Sequence, residues 1–305
     1  MTGERATPDA THKLLARLPR RLRPWARLAR VDRPAGYWLL MWPCLWSLAL
    51  AMPADSFRFW HHATVFFLGA LLMRSAGCAW NDILDRKLDA RVARTALRPI
   101  PAGEISVMGA LAFAILLSML GFLLLVQLPR FSIWIGIASL PLVAVYPLAK
   151  RVTWWPQIVL GLTFNWGALM GWAAARESLG WPALALYTGC LFWTLGYDTI
   201  YAHMDRKDDA ATGIRSSARR LGSATSRAIA LFYALFLLGL LAAGMLAQMG
   251  WPWHVALLGA AAHLYLYQWR RLDIDDPARC LALFRSNAWL GPLLFFGALL
   301  GHMLP

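Results

Sequence analysis

The chain has 305 residues, 59% of them hydrophobic and only 15% charged, with 17 tryptophans and a mean hydropathy of +0.49. A water-soluble domain of this length has too little interior to hide that much apolar surface, and apolar stretches near the ~20 residues needed to cross a bilayer as helix recur along the chain. The formal net charge of +14 would suit nucleic acid, but the charge is distributed as membrane topology requires, which excludes that partner.

The first 34 residues carry nine Lys and Arg, several of them in RLPRRLRPWARLAR. This basic segment is too long and polar for a cleavable signal. Residues 14–30 read either as a basic amphipathic helix on the cytoplasmic leaflet or as a solvated tail. Residues 35–305 read as a single all-α membrane domain of nine spans: 36–53, 62–82, 105–127, 131–149, 156–175, 181–203, 228–249, 251–269 and 287–304. Of the 30 Lys and Arg, 26 fall in the N-terminal segment, 83–104, 150–151, 205–227 and 270–286, whereas the opposite loops hold Arg58, Arg130 and Arg176. These basic segments alternate along the chain, so all can share the cytoplasmic side. The N-terminus is then inside and the C-terminus outside. Cys44, Cys78, Cys190 and Cys280 lack metal-ligand spacing, and neither zinc nor a disulfide is expected of them.

The second span ends in NDILDRKLDARVARTALRPIPAG, residues 81–103. Asn81, Asp85 and Asp89, four apart, share a helix face. Arg86, Lys87, Arg91, Arg94 and Arg98 surround them before a rigid RPIPAG turn. At the end of the sixth span, GYDTIYAHMDRKDDAATGIRS places Asp205 and Asp209 four apart, with Asp198 two turns earlier. Carboxylates aligned this way repel one another unless a cation joins them. Oxygen donors suit Mg2+ held by one or two carboxylates plus substrate phosphates. The neighbouring bases suit a diphosphate, whose oxygens guanidinium groups grip in pairs. Lys150 and Arg151 close the fourth span on the same side, one turn after Tyr146. Arg74 and Asp198 lie inside spans, where a charge costs roughly 2.5–3.5 kcal/mol at a helix centre, so they pair with each other or face a polar pocket. DIDDPARC, with Asp273, Asp275 and Asp276, reads as a cap and first-turn acids before a short helix that starts at proline.

At these residues the chain resembles the UbiA superfamily of membrane prenyltransferases. Asn81, Asp85 and Asp89 match the family's NxxxDxxxD motif, and Asp205 and Asp209 match its DxxxD. DRPAGYWLLMWPCLWSL, RTALRPIPAG, YPLAKRVTWWPQIVLG, GIRSSARRLG and LFRSN resemble its bacterial hydroxybenzoate branch. Asn165 departs from the pattern where a small residue is expected, which bears on pocket shape. The resemblance implies nine helices around a central cavity with cytoplasmic cap loops, in a bacterial inner membrane with the C-terminus periplasmic. It implies Mg2+-dependent transfer of a polyprenyl group from polyprenyl diphosphate to the carbon of 4-hydroxybenzoate ortho to its hydroxyl, an early step of ubiquinone synthesis.

On that reading Asn81, Asp85, Asp89, Asp205 and Asp209 hold Mg2+. Arg86, Arg94, Arg98, Tyr146, Lys150 and Arg151 bind the diphosphate. Asp198 polarises the phenol or stabilises the allylic cation, and Arg74 holds the benzoate carboxylate. Trp80 or Tyr197 can offer a ring face to the cation. Within the superfamily the rival is haem O synthase, but His61, His62, His203, His254, His263 and His302 do not form the expected substrate set. A cation-coupled transporter would place its charges near the midplane between broken helices, whereas these carboxylates gather at one interface.

Overall fold

The computed structural model describes residues 15–92, 95–206, 210, 213 and 215–304, and among these every regular element is helical. In chain order the helices are α1 (Arg23–Leu28), α2 (Ala35–Ala51), α3 (Phe57–Asp89), α4 (Val107–Leu125), α5 (Arg130–Ala138), α6 (Leu140–Val145), α7 (Ala149–Val152), α8 (Pro156–Phe164), α9 (Gly167–Arg176), α10 (Trp181–Ala202), α11 (Ser217–Leu221), α12 (Thr225–Leu246), α13 (Trp251–Ala262), α14 (Pro277–Ser286) and α15 (Leu290–Met303). Among the described residues six helical stretches are long and apolar enough to cross a membrane: Phe57–Asp89, Val107–Leu125, Arg130–Val152, Pro156–Arg176, Ser217–Leu246 and Pro277–Met303. The other three expected spans are not among these six: 36–53 holds the shorter apolar helix α2, 181–203 holds α10, and 251–269 holds α13 followed by a π-helical stretch, His263–Gln268.

The chain is a multi-pass membrane protein, and α4 shows why its surface belongs in lipid. Its buried residues are the small Ala110, Ala114 and Gly121, while Met108, Ile115, Leu116, Met119 and Phe122 stand exposed. In water that arrangement would forgo about 25 cal/mol for each Å2 of apolar area left uncovered. In lipid it costs nothing, and the small residues let helix backbones approach closely.

The helices divide between two units. The first lies within Met1–Tyr37 and Leu68–Leu124. Its core joins Leu28 of α1 to Ala79 and Ile83 of α3, Ala110 and Ala114 of α4, and Ile100 and Ile105 of the connecting loop, with Trp25 packed at the edge. Within the basic segment, Arg20 to Leu22 stand exposed, while Trp25 and Leu28 are tied to the core of this unit. Trp25 and Leu28, three apart, form an apolar stripe that docks where the facing alanines leave room. α1 ends with Arg30 in the left-handed region (φ 62°), its N–H donating to the Arg27 carbonyl and that of Val31 to the Ala26 carbonyl. Glycine usually holds this position in such a helix end. The RPIPAG turn is as rigid as its sequence suggests. Ala102 N–H donates to the Arg98 carbonyl, Glu104 and Ile105 N–H both donate to Pro99, and Gly103 takes the φ of +73° that the reversal requires.

The second unit lies within Trp38–Phe67 and Leu125–Pro305. Here α10 and α12 meet backbone to backbone: a Cβ placed on Gly239 would lie 2.5 Å from the Gly189 Cα and 2.9 Å from the Ala185 carbonyl oxygen. Trp46 packs at a tilt against Trp193 with ring centroids 5.1 Å apart, and Trp193 stacks on Phe236 at 5.6 Å. The span expected at 156–175 is broken between α8 and α9. Fully buried Asn165 fills the break, its amide donating to the carbonyls of Gly161 (2.8 Å) and Cys190 (3.0 Å) and to Thr194 Oγ1 (2.8 Å). A larger side chain is accommodated at this position because it ties the helix break to α10. Asp276 caps α14, accepting from the Arg279 N–H at 3.0 Å ahead of Pro277, as its sequence suggests.

Candidate active site

The first unit presents its acidic motif on the last three turns of α3. Asp82 and Asp85 are fully buried, Asp89 is 7% exposed, and Asn81 and Arg86 are half-buried. Arg98, carried by the rigid turn, bridges the motif: one guanidinium nitrogen lies 2.7 Å from Asp89 Oδ2 and 3.1 Å from Asp82 Oδ1. From the other side Arg30 Nη2 sits 2.7 and 2.9 Å from the two oxygens of Asp82. Burying carboxylates is costly unless cations and hydrogen bonds compensate, and two guanidinium groups do so here. Burial alone would lower the pKa of Arg30, but Asp82, with Cys78, Asp32 and Asp89 behind it, more than offsets this and holds it above the usual guanidinium value.

Arg86 turns back along its own helix, donating to the Ile83 carbonyl at 2.8 Å. Thr95 Oγ1 donates to the Asp89 carbonyl at 2.9 Å and fixes the exit of α3. Higher on α3, the guanidinium of Arg74 lies against the backbone of Gly36, so close that a Cβ there would be 2.6 Å from Nε and 2.9 Å from Nη2. Arg94 lies outside the described residues.

The second unit carries the other half of the expected residues. Asp198 is half-buried on α10, and Asp205 ends the 3-10 turn His203–Asp205 that follows it. The level of Asp198 is fixed by its neighbour Thr199, whose hydroxyl meets that of Ser217 on α11 at 2.6 Å, both residues being fully buried. Asp209 lies outside the described residues. Tyr146 opens a 3-10 turn before α7, which bears Lys150 and Arg151. The chain after the acidic motif returns to this place: Arg215 donates from its N–H to the Lys150 carbonyl (3.3 Å) and from its guanidinium to the Val152 carbonyl (2.6 Å). Arg215 and Arg219 also stand 5.7 and 5.3 Å from the ring of Trp154, within cation–π reach. Tyr197 is only 2% exposed, with rings of Trp193 and Phe284 edge-on at 5.1 and 5.8 Å. It is a packed core residue, and a ring face for a cation does not come from it.

The structure thus joins Arg98 to Asp89 and gathers Arg215 and Arg219 beside Lys150 and Arg151. Three neighbours of the expected residues escape the motif spacing: Asp82, Arg30 and Arg215. Asp82 carried a readable signal, since it falls three residues before Asp85 and seven before Asp89, on the same helical stripe. Arg30, 52 residues from its partner, carried none.

Among the described residues no three Asp, Glu, His or Cys side chains converge on a common point as a metal cage. The donors fit Mg2+ nonetheless, because they are all oxygen atoms and Mg2+ ordinarily takes one or two carboxylates and completes its shell with substrate phosphates and water.

A model of the UbiA prenyltransferase family matches residues 40–298. The mitochondrial 4-hydroxybenzoate polyprenyltransferase of Aedes aegypti is 47% identical over 92% of this chain, which spans 64% of that protein. Its namesake in Caenorhabditis elegans is 44% identical over 95% of this chain and 82% of its own length. The Arabidopsis thaliana protein of the same name is 43% identical over 93% and 70%. Among solved structures, the apo UbiA homolog from Aeropyrum pernix K1 superposes with a TM-score of 0.71 at 23% identity, covering 88% of this chain and 98% of that one. The UbiA homolog from Archaeoglobus fulgidus bound to GPP and Mg2+ gives 0.69 at 16% identity, covering 90% and 99%. The helical fold is therefore shared with these archaeal proteins, and the chain belongs to the UbiA prenyltransferase family.

Proposed function

We propose that the protein transfers a polyprenyl group from a polyprenyl diphosphate to the ring carbon of 4-hydroxybenzoate ortho to the hydroxyl, the membrane step that commits the ring to ubiquinone. The observation that carries this reading is the 47% and 44% identity, over more than nine-tenths of the chain, to proteins named for that reaction. The A. fulgidus homolog bound to GPP and Mg2+ supports a divalent cation and an allylic diphosphate as the ligands of the acidic motifs.

In this reading Asn81, Asp85 and Asp89 are Mg2+ ligands, and so are Asp205 and Asp209. When bound, Mg2+ supplies charge stabilisation to the leaving oxygens. Arg86, Arg94, Arg98, Lys150 and Arg151 meet the remaining diphosphate charge, and Tyr146 donates a hydrogen bond. Cations held in place before reaction stabilise charge as it develops without reorganising. The allylic C–O bond then breaks with its electron pair leaving on the diphosphate, the electron-rich ring carbon takes the prenyl cation, and that carbon gives up its proton to the released diphosphate or to water, which restores aromaticity. Asp198 polarises the phenol or steadies the cation, and Arg74 holds the benzoate carboxylate.

The architecture we infer is a basic segment, 1–34, followed by one catalytic domain, 35–305, of nine membrane helices around a central cavity with cytoplasmic cap loops. The alternation of basic loops supports a cytoplasmic N-terminus and a C-terminus on the far side. The relatives named above are mitochondrial proteins, and a bacterial inner membrane with a periplasmic C-terminus is a proposal resting on sequence resemblance and charge alone.

The deciding experiment incubates detergent-purified protein with 4-hydroxybenzoate and geranyl diphosphate, with Mg2+ or with EDTA, and seeks prenylated acid by mass spectrometry. Product that disappears with EDTA is the expected result. Absence of product with Mg2+ present, and product on another aromatic acceptor, would overturn the assignment of 4-hydroxybenzoate.

A further inference from the structure

Asp82 is the one acidic residue of NDILDRKLD that the metal motif leaves out, and it is as deeply buried as Asp85. A buried carboxylate beside a metal motif invites the reading of a further ligand. Its contacts argue otherwise, because both of its oxygens are taken by Arg30 Nη2 at 2.7 and 2.9 Å, and Oδ1 also meets Arg98 at 3.1 Å. The same Arg98 nitrogen reaches Asp89 at 2.7 Å. Arg98 is therefore shared between Asp82, which faces no ligand in our mechanism, and Asp89, which does.

The other end of the chain of charges is equally specific. Arg30 holds a left-handed backbone (φ 62°) at the end of α1, a position where glycine is free and any other residue is strained. The guanidinium that this arrangement delivers is 11% exposed and its partner carboxylate not at all. α1 itself is pinned by Leu28 in the core of the unit, so the cation is held in place by packing.

We propose that Asp82 is a positioning residue that shares Arg98 with Asp89, and that Arg30 sets how much of Arg98 it takes. The inference rests on the reading of Asp85 and Asp89 as Mg2+ ligands. Neutralising Asp82 leaves Arg98 to Asp89 and adds net positive charge beside the metal, so divalent cations bind more weakly. Removing Arg30 has the opposite sign: Asp82 turns fully to Arg98, draws it from Asp89, and a nearby cation is lost, so divalent cations bind more tightly. A residue that merely stabilises the fold weakens binding when removed and does not strengthen it.

The test titrates Mn2+ into detergent-solubilised full-length protein with geranyl diphosphate and no aromatic acceptor, reading bound metal from the loss of the free-Mn2+ paramagnetic resonance signal. Asp82→Asn is expected to raise the dissociation constant about tenfold and Arg30→Gln to lower it about threefold, the scale of one unit charge in a partly screened site. Unchanged binding in Asp82→Asn, or weaker binding in Arg30→Gln, overturns the positioning role. Should Asp82→Asn not fold, the sign of the Arg30→Gln shift decides the matter alone. If the unaltered protein shows no saturable Mn2+ binding, the metal reading fails and the inference falls with it, an outcome distinct from normal binding that the two variants leave unmoved.

Discussion

Replacing Gly36 by Ala tests the role of Arg74 without touching Arg74. The new methyl would sit 2.6 Å from Arg74 Nε, 2.9 Å from Nη2 and 3.1 Å from Cζ. Ordinary van der Waals contact begins near 3.4 Å, so the guanidinium must retreat by about 0.8 Å. The obstructing atoms end a flexible side chain, and the protein can absorb that shift at little cost in stability. A guanidinium that grips a carboxylate cannot. A charge-assisted hydrogen bond is worth about 1.5–3 kcal/mol, so losing one raises KM for 4-hydroxybenzoate roughly 10- to 100-fold. The measurement is initial rate against 4-hydroxybenzoate at saturating geranyl diphosphate and Mg2+, repeated with the diphosphate as the varied substrate. KM for the acid should rise while KM for the diphosphate and the thermal midpoint in detergent stay put. An unchanged KM for the acid would refute the assignment and leave Arg74 as part of the packing of α3 against the start of α2.

Other substitutions probe other parts of the account. Asp85→Ala or Asp205→Ala should lower turnover at saturating Mg2+ by at least about 10²-fold while the protein still elutes as a single detergent-bound species; full activity in either removes that residue from the metal site. Asp198→Asn should depress kcat more than diphosphate binding, and an unaltered kcat ends its catalytic role. Gly239→Leu drives a side chain into the Gly189 backbone and should destabilise by at least about 1–3 kcal/mol, read as a lower unfolding midpoint. Gly69, with open space around its Cβ position, should accept Ala with no loss. Asp276→Ala removes the cap of α14 and should cost about 1 kcal/mol of stability with the Mg2+ requirement unchanged; a shifted requirement would bring that third acidic cluster into the site.

The candidate site was legible as a pattern because its acidic residues lie on short stretches of chain. Asn81, Asp85 and Asp89 repeat every fourth residue, and helical geometry alone puts them on one face. The RPIPAG turn was legible for a similar reason: two prolines and a glycine leave the backbone few choices, and the hydrogen bonds to the Arg98 and Pro99 carbonyls follow. Asp276 before Pro277 was readable as a cap. The fate of Asn165 was not, because its amide is satisfied by Cys190 and Thr194 on another helix. Tyr197 likewise reads as an available ring until the rings of Trp193 and Phe284 are seen beside it.

By itself the sequence determined that the chain crosses a membrane as helices, where its basic loops alternate, and which carboxylates share a helical face. Apolar length, charge counts and helical period are properties of neighbouring residues and survive without a fold. Only the tertiary structure decided which cation meets which carboxylate. The choice of Arg30 for Asp82, and the division of Arg98 between Asp82 and Asp89, depends on α1 docking through Leu28 and on the turn after α3 folding back. No local spacing records such partners, because packing between distant segments brings them within reach of one another.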